Sequence, residues 1–178
     1  MKKLILLLIS SLFLGACAKM EISDFQDQEP KLDLFQYFEG ETEAFGIFEN
    51  RSGAVKRTFL VEIMGTIEGD LLTLNEQFYY SDGERDERIW KIRKVADGRF
   101  EGQAGDVIGT ALGVSAGNAL NWNYVLDLPV GDTSYHVEFD DWMFLQPKGF
   151  LLNIANVSKW GFNVGRVTLS FQKKPQAS

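Results

Sequence analysis

Two Asp-Gly dipeptides, Asp82-Gly83 and Asp97-Gly98, cut the stretch Leu72–Ile108 into three alternating runs. Alternating runs joined at Asp-Gly are the pattern of consecutive antiparallel hairpins, because those residues tolerate the left-handed backbone that tight turns need. In the first run Leu72, Leu74, Phe78 and Tyr80 share a face with Glu76. Trp90 and Ile92 share one with Arg88, and Phe100, Ala104 and Ile108 share one with Asp106. Each apolar face therefore carries one charge.

Register decides what those charges meet, since a one-residue slip turns a whole strand over. A two-residue Asp82-Gly83 turn sets Leu72, Leu74 and Phe78 against Arg93, Lys91 and Glu87. A three-residue Ser81-Asp82-Gly83 loop instead sets Leu72 against Ile92, Leu74 against Trp90 and Glu76 against Arg88. Only the second keeps apolar beside apolar. The same loop at Ala96-Asp97-Gly98 pairs Val95 with Arg99, Trp90 with Ala104 and Arg88 with Asp106. A two-residue Gly69-Asp70 turn puts Ile63 opposite Glu76. The expectation is an inward row Glu76–Arg88–Asp106, each charge partnered. Three uses stay open for it: a structural network that holds register, the polar end of a ligand cavity, or a carboxylate with a raised pKa acting in catalysis.

The remaining chain reads as more of the same. Leu32–Phe38 suits one or two helical turns closed by Gly40, with Leu34, Phe35 and Phe38 turned inward to plug a barrel end. Val55–Ile67 places Arg57, Phe59, Val61 and Ile63 on one face. Asn118–Leu128 does so with Leu120, Trp122, Tyr124, Leu126 and Leu128, and the run that follows with Tyr135, Val137, Phe139, Asp141 and Met143. Phe162–Gln172 closes the series, with a phase change near Gly165. The Gly-rich passage Gly105–Gly117 lacks a phosphate-loop spacing and reads as a bent or bulged strand. With no helix long enough to cover a sheet, the chain must bury its faces against themselves. The fold class expected is all-β: an antiparallel up-and-down barrel of about nine strands with a short N-terminal helix.

Length, at 178 residues, suits one domain with a sizeable core, and 45% apolar content makes it a folded one. A formal charge of −7 without a basic block argues against nucleic acid as a partner. Lys2 and Lys3 precede an apolar run, Leu4–Leu14, too short to span a bilayer and built like a secretory signal. It ends in Leu14-Gly15-Ala16-Cys17, which resembles the lipobox of bacterial lipoproteins. That resemblance implies cleavage after residue 16 and acylation of Cys17, and Ala18 in the next position points to the outer membrane. The division expected is a signal peptide over 1–16, a lipidated cysteine and flexible tether over 17–31, and one barrel domain over 32–178. Losing Lys2 and Lys3 leaves 16 basic against 25 acidic residues, a charge of −9.

Little conventional chemistry is available. Cys17 is the only cysteine and His136, on a polar strand face, the only histidine. A Ser-His-acid triad, a thiolate nucleophile and a zinc centre therefore lack their parts. No catalytic residue, metal ligand or cofactor is expected. Asp140 and Asp141 fall on opposite faces, so they cannot grip one ion together. Arg88 is held by two acids in this register, so Arg57, inward and without an assigned acid, is the better polar end for a ligand, with Asp141 a further candidate.

The segments LDLFQYFEGETEAFG, LTLNEQFYYSDGERDERIW, GQAGDVIGTALG, NALNWNY, FDDWMF and KWGFNVGRVTLSF resemble the uncharacterised Gram-negative lipoprotein family known as domain of unknown function 3833, over about Leu32–Phe171. The resemblance implies a lipoprotein but brings no activity, substrate or catalytic residue. The order of a short helix, Gly40 and a long meander also resembles bacterial lipocalins, although Gly40-Glu41-Thr42 replaces their Gly-x-Trp. The function expected is a membrane-anchored periplasmic barrel holding an apolar small molecule or lipid. Phe59, Phe78, Trp90, Trp122, Tyr124 and Phe139 would line the cavity. The alternative is a non-enzymatic structural or envelope-stress lipoprotein whose barrel is filled by its own aromatics. A cavity of several hundred Å³ separates the two.

Overall fold

The computed structural model describes residues 19–174. Ten strands follow one another: β1 (Gly40–Asn50), β2 (Val55–Glu68), β3 (Leu71–Tyr80), β4 (Arg85–Ala96), β5 (Arg99–Gln103), β6 (Ala111–Ala116), β7 (Ala119–Val130), β8 (Thr133–Leu145), β9 (Leu151–Lys159) and β10 (Phe162–Lys173). Each pairs antiparallel with the next, and β10 pairs with β1 to close the barrel. Closure joins the first strand to the last and side chains alternate between interior and surface, while β4 before Lys91 has no partner in the short β5.

The expected register holds through the centre of the opening stretch. Tyr80 N–H donates to the Glu84 carbonyl at 3.1 Å across the Ser81-Asp82-Gly83 loop, with Gly83 at φ +92°. Leu72 lies opposite Ile92, Leu74 opposite Trp90 and Glu76 opposite Arg88, while Ile63 faces Glu76 from β2. Between β4 and β5, Ile92 meets Gly102 and Lys94 meets Phe100 as expected. The tip differs: the register shifts between Lys94 and Ala96, so Ala96, not Val95, pairs with Arg99. The extra residue is absorbed as a bulge, which lets a two-residue Asp97-Gly98 turn close the hairpin.

The tenth strand comes from the glycine-rich passage. The third run stops at Gln103 instead of continuing to Ile108, and β6 begins at Ala111. Between them the loop 104–110 crosses to β7. Asp127 N–H donates to the Asp106 carbonyl at 2.8 Å and Ile108 N–H to the Val125 carbonyl at 2.9 Å. Strand alternation ends with the strand, so Ile108 is exposed and Val107 packs against the core instead. The glycines of β5 and β6 make room for one ring. A Cβ on Gly102 would sit 2.5 Å from Cζ2 of Trp122, and one on Gly113 would overlap the same indole.

One end of the barrel is plugged. Asp33 caps α1 (Leu34–Phe38) by accepting from Gln36 N–H at 3.0 Å. The helix buries Leu34, Tyr37 and Phe38, and Phe35 stacks on Phe100. The Tyr37 hydroxyl donates to backbone carbonyls of Gly149 and Phe171 at 3.1 and 3.2 Å, and burial pushes its pKa up to about 12. Gly65 is required beneath the plug, since a Cβ there would run into the Phe38 carbonyl. Leu72, Leu120 and Leu151, the most buried large side chains, pack at this same end.

The segment read as tether is docked over its second half. Ile22–Phe25 forms a 3-10 turn whose Phe25 ring lies 5.9 and 5.2 Å from Trp142 and Phe144 on the outside of the barrel. Leu32 N–H then donates to the Gly117 carbonyl at 2.8 Å. No helix among the described residues is long and apolar enough to cross a membrane. The signal segment 1–16 and Cys17 lie outside the described residues.

Candidate functional site: an interior cavity with a polar belt

The barrel is not filled by its own aromatics. A cavity of about 590 Å³ runs inside it from the plug, at Leu34 and Phe38, to the opposite end. Phe48, Arg57, Tyr80, Leu128, Tyr135, Lys159 and Val164 ring that second end, beside the turns that join β1–β2, β3–β4, β7–β8 and β9–β10. All six aromatics expected to line a cavity do so: Phe59, Phe78, Trp90, Trp122, Tyr124 and Phe139. Trp90 meets Trp122 and Tyr124 edge-on with centroids 5.7 and 5.4 Å away, and Tyr124 stacks on Phe139 at 4.8 Å. The space sits within the range of small-molecule pockets, roughly 300–1,000 Å³.

Across the middle of this apolar wall runs a belt of polar groups: Glu76, Arg88, Tyr124, Asp141 and Asn153. Arg88 takes Asp106 as its partner, with Nε 2.9 Å and Nη2 2.7 Å from Oδ2. Asp106 reaches it from the loop after β5, not from a strand, which corrects the expected cross-strand pairing without removing the contact. Burial opposes charge on Arg88, but Glu76 and Asp106 outweigh it and raise its pKa.

Glu76 departs further from expectation. It stands opposite Arg88 yet makes no ion pair within 4 Å among the described residues, because the guanidinium is turned toward Asp106. Glu76 is half-buried, and it lines the cavity. Burial pushes its pKa up to about 7; Arg88 opposes the rise, and Asp106 and Asp141 add to it. The row is one ion pair with a lone carboxyl beside it.

Asp141 points inward, as alternation requires, and is 6% exposed. The Asn153 amide donates to it, and also to the Trp142 carbonyl at 3.2 Å. Burial takes the Asp141 pKa to about 7, with Asn153 opposing and Asp140 adding to the rise. Asp140 is on the outer face, where Asn121 Nδ2 and Trp142 Nε1 donate to it at 2.8 and 3.1 Å. The Tyr124 hydroxyl joins the belt, its pKa held well above the usual value by burial and by Asp141. His136 lies on the exposed face, with Nε2 3.7 Å from Asp127.

Arg57 lines the mouth, but it is not a free cation. Its Nε lies 2.8 Å from Asp82 Oδ2, Nη2 lies 3.0 Å from Asp82 Oδ1, and Nη2 also reaches Glu84. Its guanidinium stacks 3.6 Å above the Tyr80 ring. Both acids come from the β3–β4 turn, whose side-chain directions strand alternation does not set. Lys159, the other mouth cation, lies over the rings of Tyr135 and Trp160 at 3.5 and 4.4 Å.

One belt member, Asn153, is not singled out by strand alternation. Asn153 is the one polar residue among inward Leu151, Ala155 and Val157, but Leu152 and Ile154 make the opposite face equally apolar and hide the phase. Tyr124 is expected in the cavity wall for its ring, and its hydroxyl adds a polar group to the belt.

The fold and site define a closed up-and-down β-barrel with a hollow, mostly apolar interior and a belt of inward-facing charge. The chain belongs to the family described as protein of unknown function (DUF3833), whose model matches residues 11–173. No curated protein matches it.

Proposed function

We propose that this protein is a lipid-anchored carrier of the cell envelope, holding an apolar small molecule or lipid inside its barrel on the periplasmic side of the outer membrane. The cavity carries this reading. A barrel that served only as a scaffold would gain stability by filling its interior, since lining atoms around a void lose dispersion contacts. Here a volume of about 590 Å³ is left open between aromatic walls. The acylated Cys17 supplies the anchor, and the lipobox-like Leu14-Gly15-Ala16-Cys17 supports it.

The anchor also orients the barrel. Cys17 precedes the docked turn at Ile22 by five residues, a reach of at most roughly 18 Å when extended. Residues 25–32 lie against Gly117 at the plugged end. The plug therefore sits near the membrane and the mouth faces the periplasm. Native mass spectrometry of the full chain extracted from its own membrane tests the carrier reading. A bound mass that disappears on denaturation is expected, and a protein that is always empty overturns it.

One observation favours a second reading, in which the outer surface does the work. At the β9–β10 tip, Trp160 and Phe162 are 82% and 74% exposed, an arrangement that suits a protein partner at the mouth.

A further inference from the structure

We propose that the cavity takes an apolar molecule ending in a protonated amine, seated with its ammonium against the carboxylates of Glu76 and Asp141. This assignment rests on the carrier reading and specifies the ligand's head. The belt holds more acids than cations, and its uncommitted donors are the remaining Arg88 N–H groups and the Tyr124 hydroxyl. Arg88 has Nε and Nη2 committed to Asp106 Oδ2, so its charge is already matched. Glu76 has no ion-pair partner among the described residues, and Asp141 has only the neutral amide of Asn153. Asn153 is 1% exposed, and its Oδ1 accepts no hydrogen bond. These acceptors border the cavity from three different strands, β3, β8 and β9. An ammonium brings one positive charge for the unpaired carboxyls and three donors that can reach them and the open Asn153 Oδ1.

The alternatives fit less well. A fatty-acid carboxylate would enter a belt that already holds more acids than bases. At the mouth it would meet Arg57 tied to Asp82 and Glu84, and Lys159 engaged with two rings. A metal ion would need three ligating side chains drawn together, and no such group exists among the described residues. An amine's hydrocarbon chain, by contrast, finds Phe59, Phe78, Trp90 and Phe139 along the same wall.

The proton balance follows. Glu76 faces Arg88 from β4, Asp106 from the loop after β5, Tyr124 from β7 and Asp141 from β8; Asp141 faces Arg88 and Asn153 and has Asp140 beside it. In the empty barrel both carboxyls titrate near 7. A bound ammonium favours their ionised forms, so binding releases protons and tightens as pH rises from 6 to 8.

The test uses the acylated mature protein in detergent-free nanodiscs, loaded with the uncharged fluorophore N-phenyl-1-naphthylamine. Dodecylamine, dodecanol and laurate then compete for it below their micellar concentrations. Dodecylamine is expected to displace the fluorophore at about tenfold lower concentration than laurate at pH 8. Its advantage should shrink at pH 6, whereas dodecanol should show no such trend. The double variant Glu76→Gln, Asp141→Asn should still take up the fluorophore but lose the amine preference, and Glu76→Gln alone should lose part of it. Laurate competing as well as dodecylamine, or a double variant that keeps the preference, overturns the amine head and leaves the carrier reading standing. A wild-type protein that takes up neither the fluorophore nor any of the three competitors overturns both.

Discussion

Arg88 sets two nitrogens on the same oxygen of Asp106, and the other oxygen, Oδ1, is buried without a partner. The pair bolts the loop 104–110 to β4, where strand pairing has already ended. Arg88→Ala should therefore release that loop and leave the Asp106 charge uncompensated. Breaking a fully buried pair costs about 3–5 kcal/mol. The Arg88 and Asp106 side chains are 22% and 37% exposed, so a loss nearer about 2 kcal/mol is expected. Arg88→Lys should recover only part of it, because an ammonium cannot reproduce the guanidinium fork. Urea denaturation of both variants checks this, and an unchanged midpoint for Arg88→Ala would rule it out.

Raised carboxyl pKa values make a definite pH signature. Glu76 moves from 4.5 to about 7 and Asp141 from 3.8 to about 7. Between pH 4 and 7 the folded protein therefore holds protons that the unfolded chain releases, so stability falls as pH rises through this window and levels off above it. The loss is on the order of 3 kcal/mol for Glu76 and about 4 kcal/mol for Asp141. Glu76→Gln removes one titration without removing the side chain. It should be more stable than wild type at pH 8 and much closer to it at pH 4.5. Thermal melts of the two proteins across this range decide the matter; a gap that does not widen with pH contradicts it.

Period-two alternation made the barrel legible. It identified which residues of β2, β3, β4, β7 and β8 face inward, and the demand that apolar meet apolar chose the three-residue loop at Gly83. The same logic brought Glu76, Arg88 and Asp141 inside. It could not follow Asp106, because beyond Gln103 the chain leaves the sheet and side-chain direction depends on hydrogen bonds to β7. Nor could it find Arg57's partners, which come from a turn. Alternation also says which residues face the axis and not how far apart they stand, so the hollow interior was an expectation to be tested. The passage Gly105–Gly117 was ambiguous because glycine carries no face; Gly102 and Gly113 are explained only by the Trp122 ring packed on them.

Those glycines offer a contrast within a few residues. Gly113→Ala drives a methyl into the Trp122 indole, which Gly102 and Trp90 confine on its other sides. Overpacking of this kind costs about 1–3 kcal/mol, and the upper end is expected because a fused ring cannot bend aside. Gly105 has nothing within 4 Å of the position its Cβ would take, so Gly105→Ala should lie within about 0.5 kcal/mol of wild type. Thermal unfolding of the two variants side by side tests the packing argument, and equal melting temperatures would refute it.

The orientation proposed for the anchored barrel can be read with two dyes. The sequence contains one cysteine, Cys17, whose sulfur the proposed acylation would consume. Trp160→Cys and Asp97→Cys then each present a single reactive thiol, at the mouth and at the plugged end. Strands of about twelve residues, at about 3.3 Å each and tilted by about 40°, separate those ends by about 30 Å. In liposomes of brominated lipid, a dye at residue 97 should be quenched by the bilayer, and a dye at residue 160 should respond mainly to aqueous iodide. The reverse pattern would place the mouth at the membrane. In that arrangement Trp160 and Phe162 would be membrane-facing anchors, and the ligand would enter directly from the bilayer.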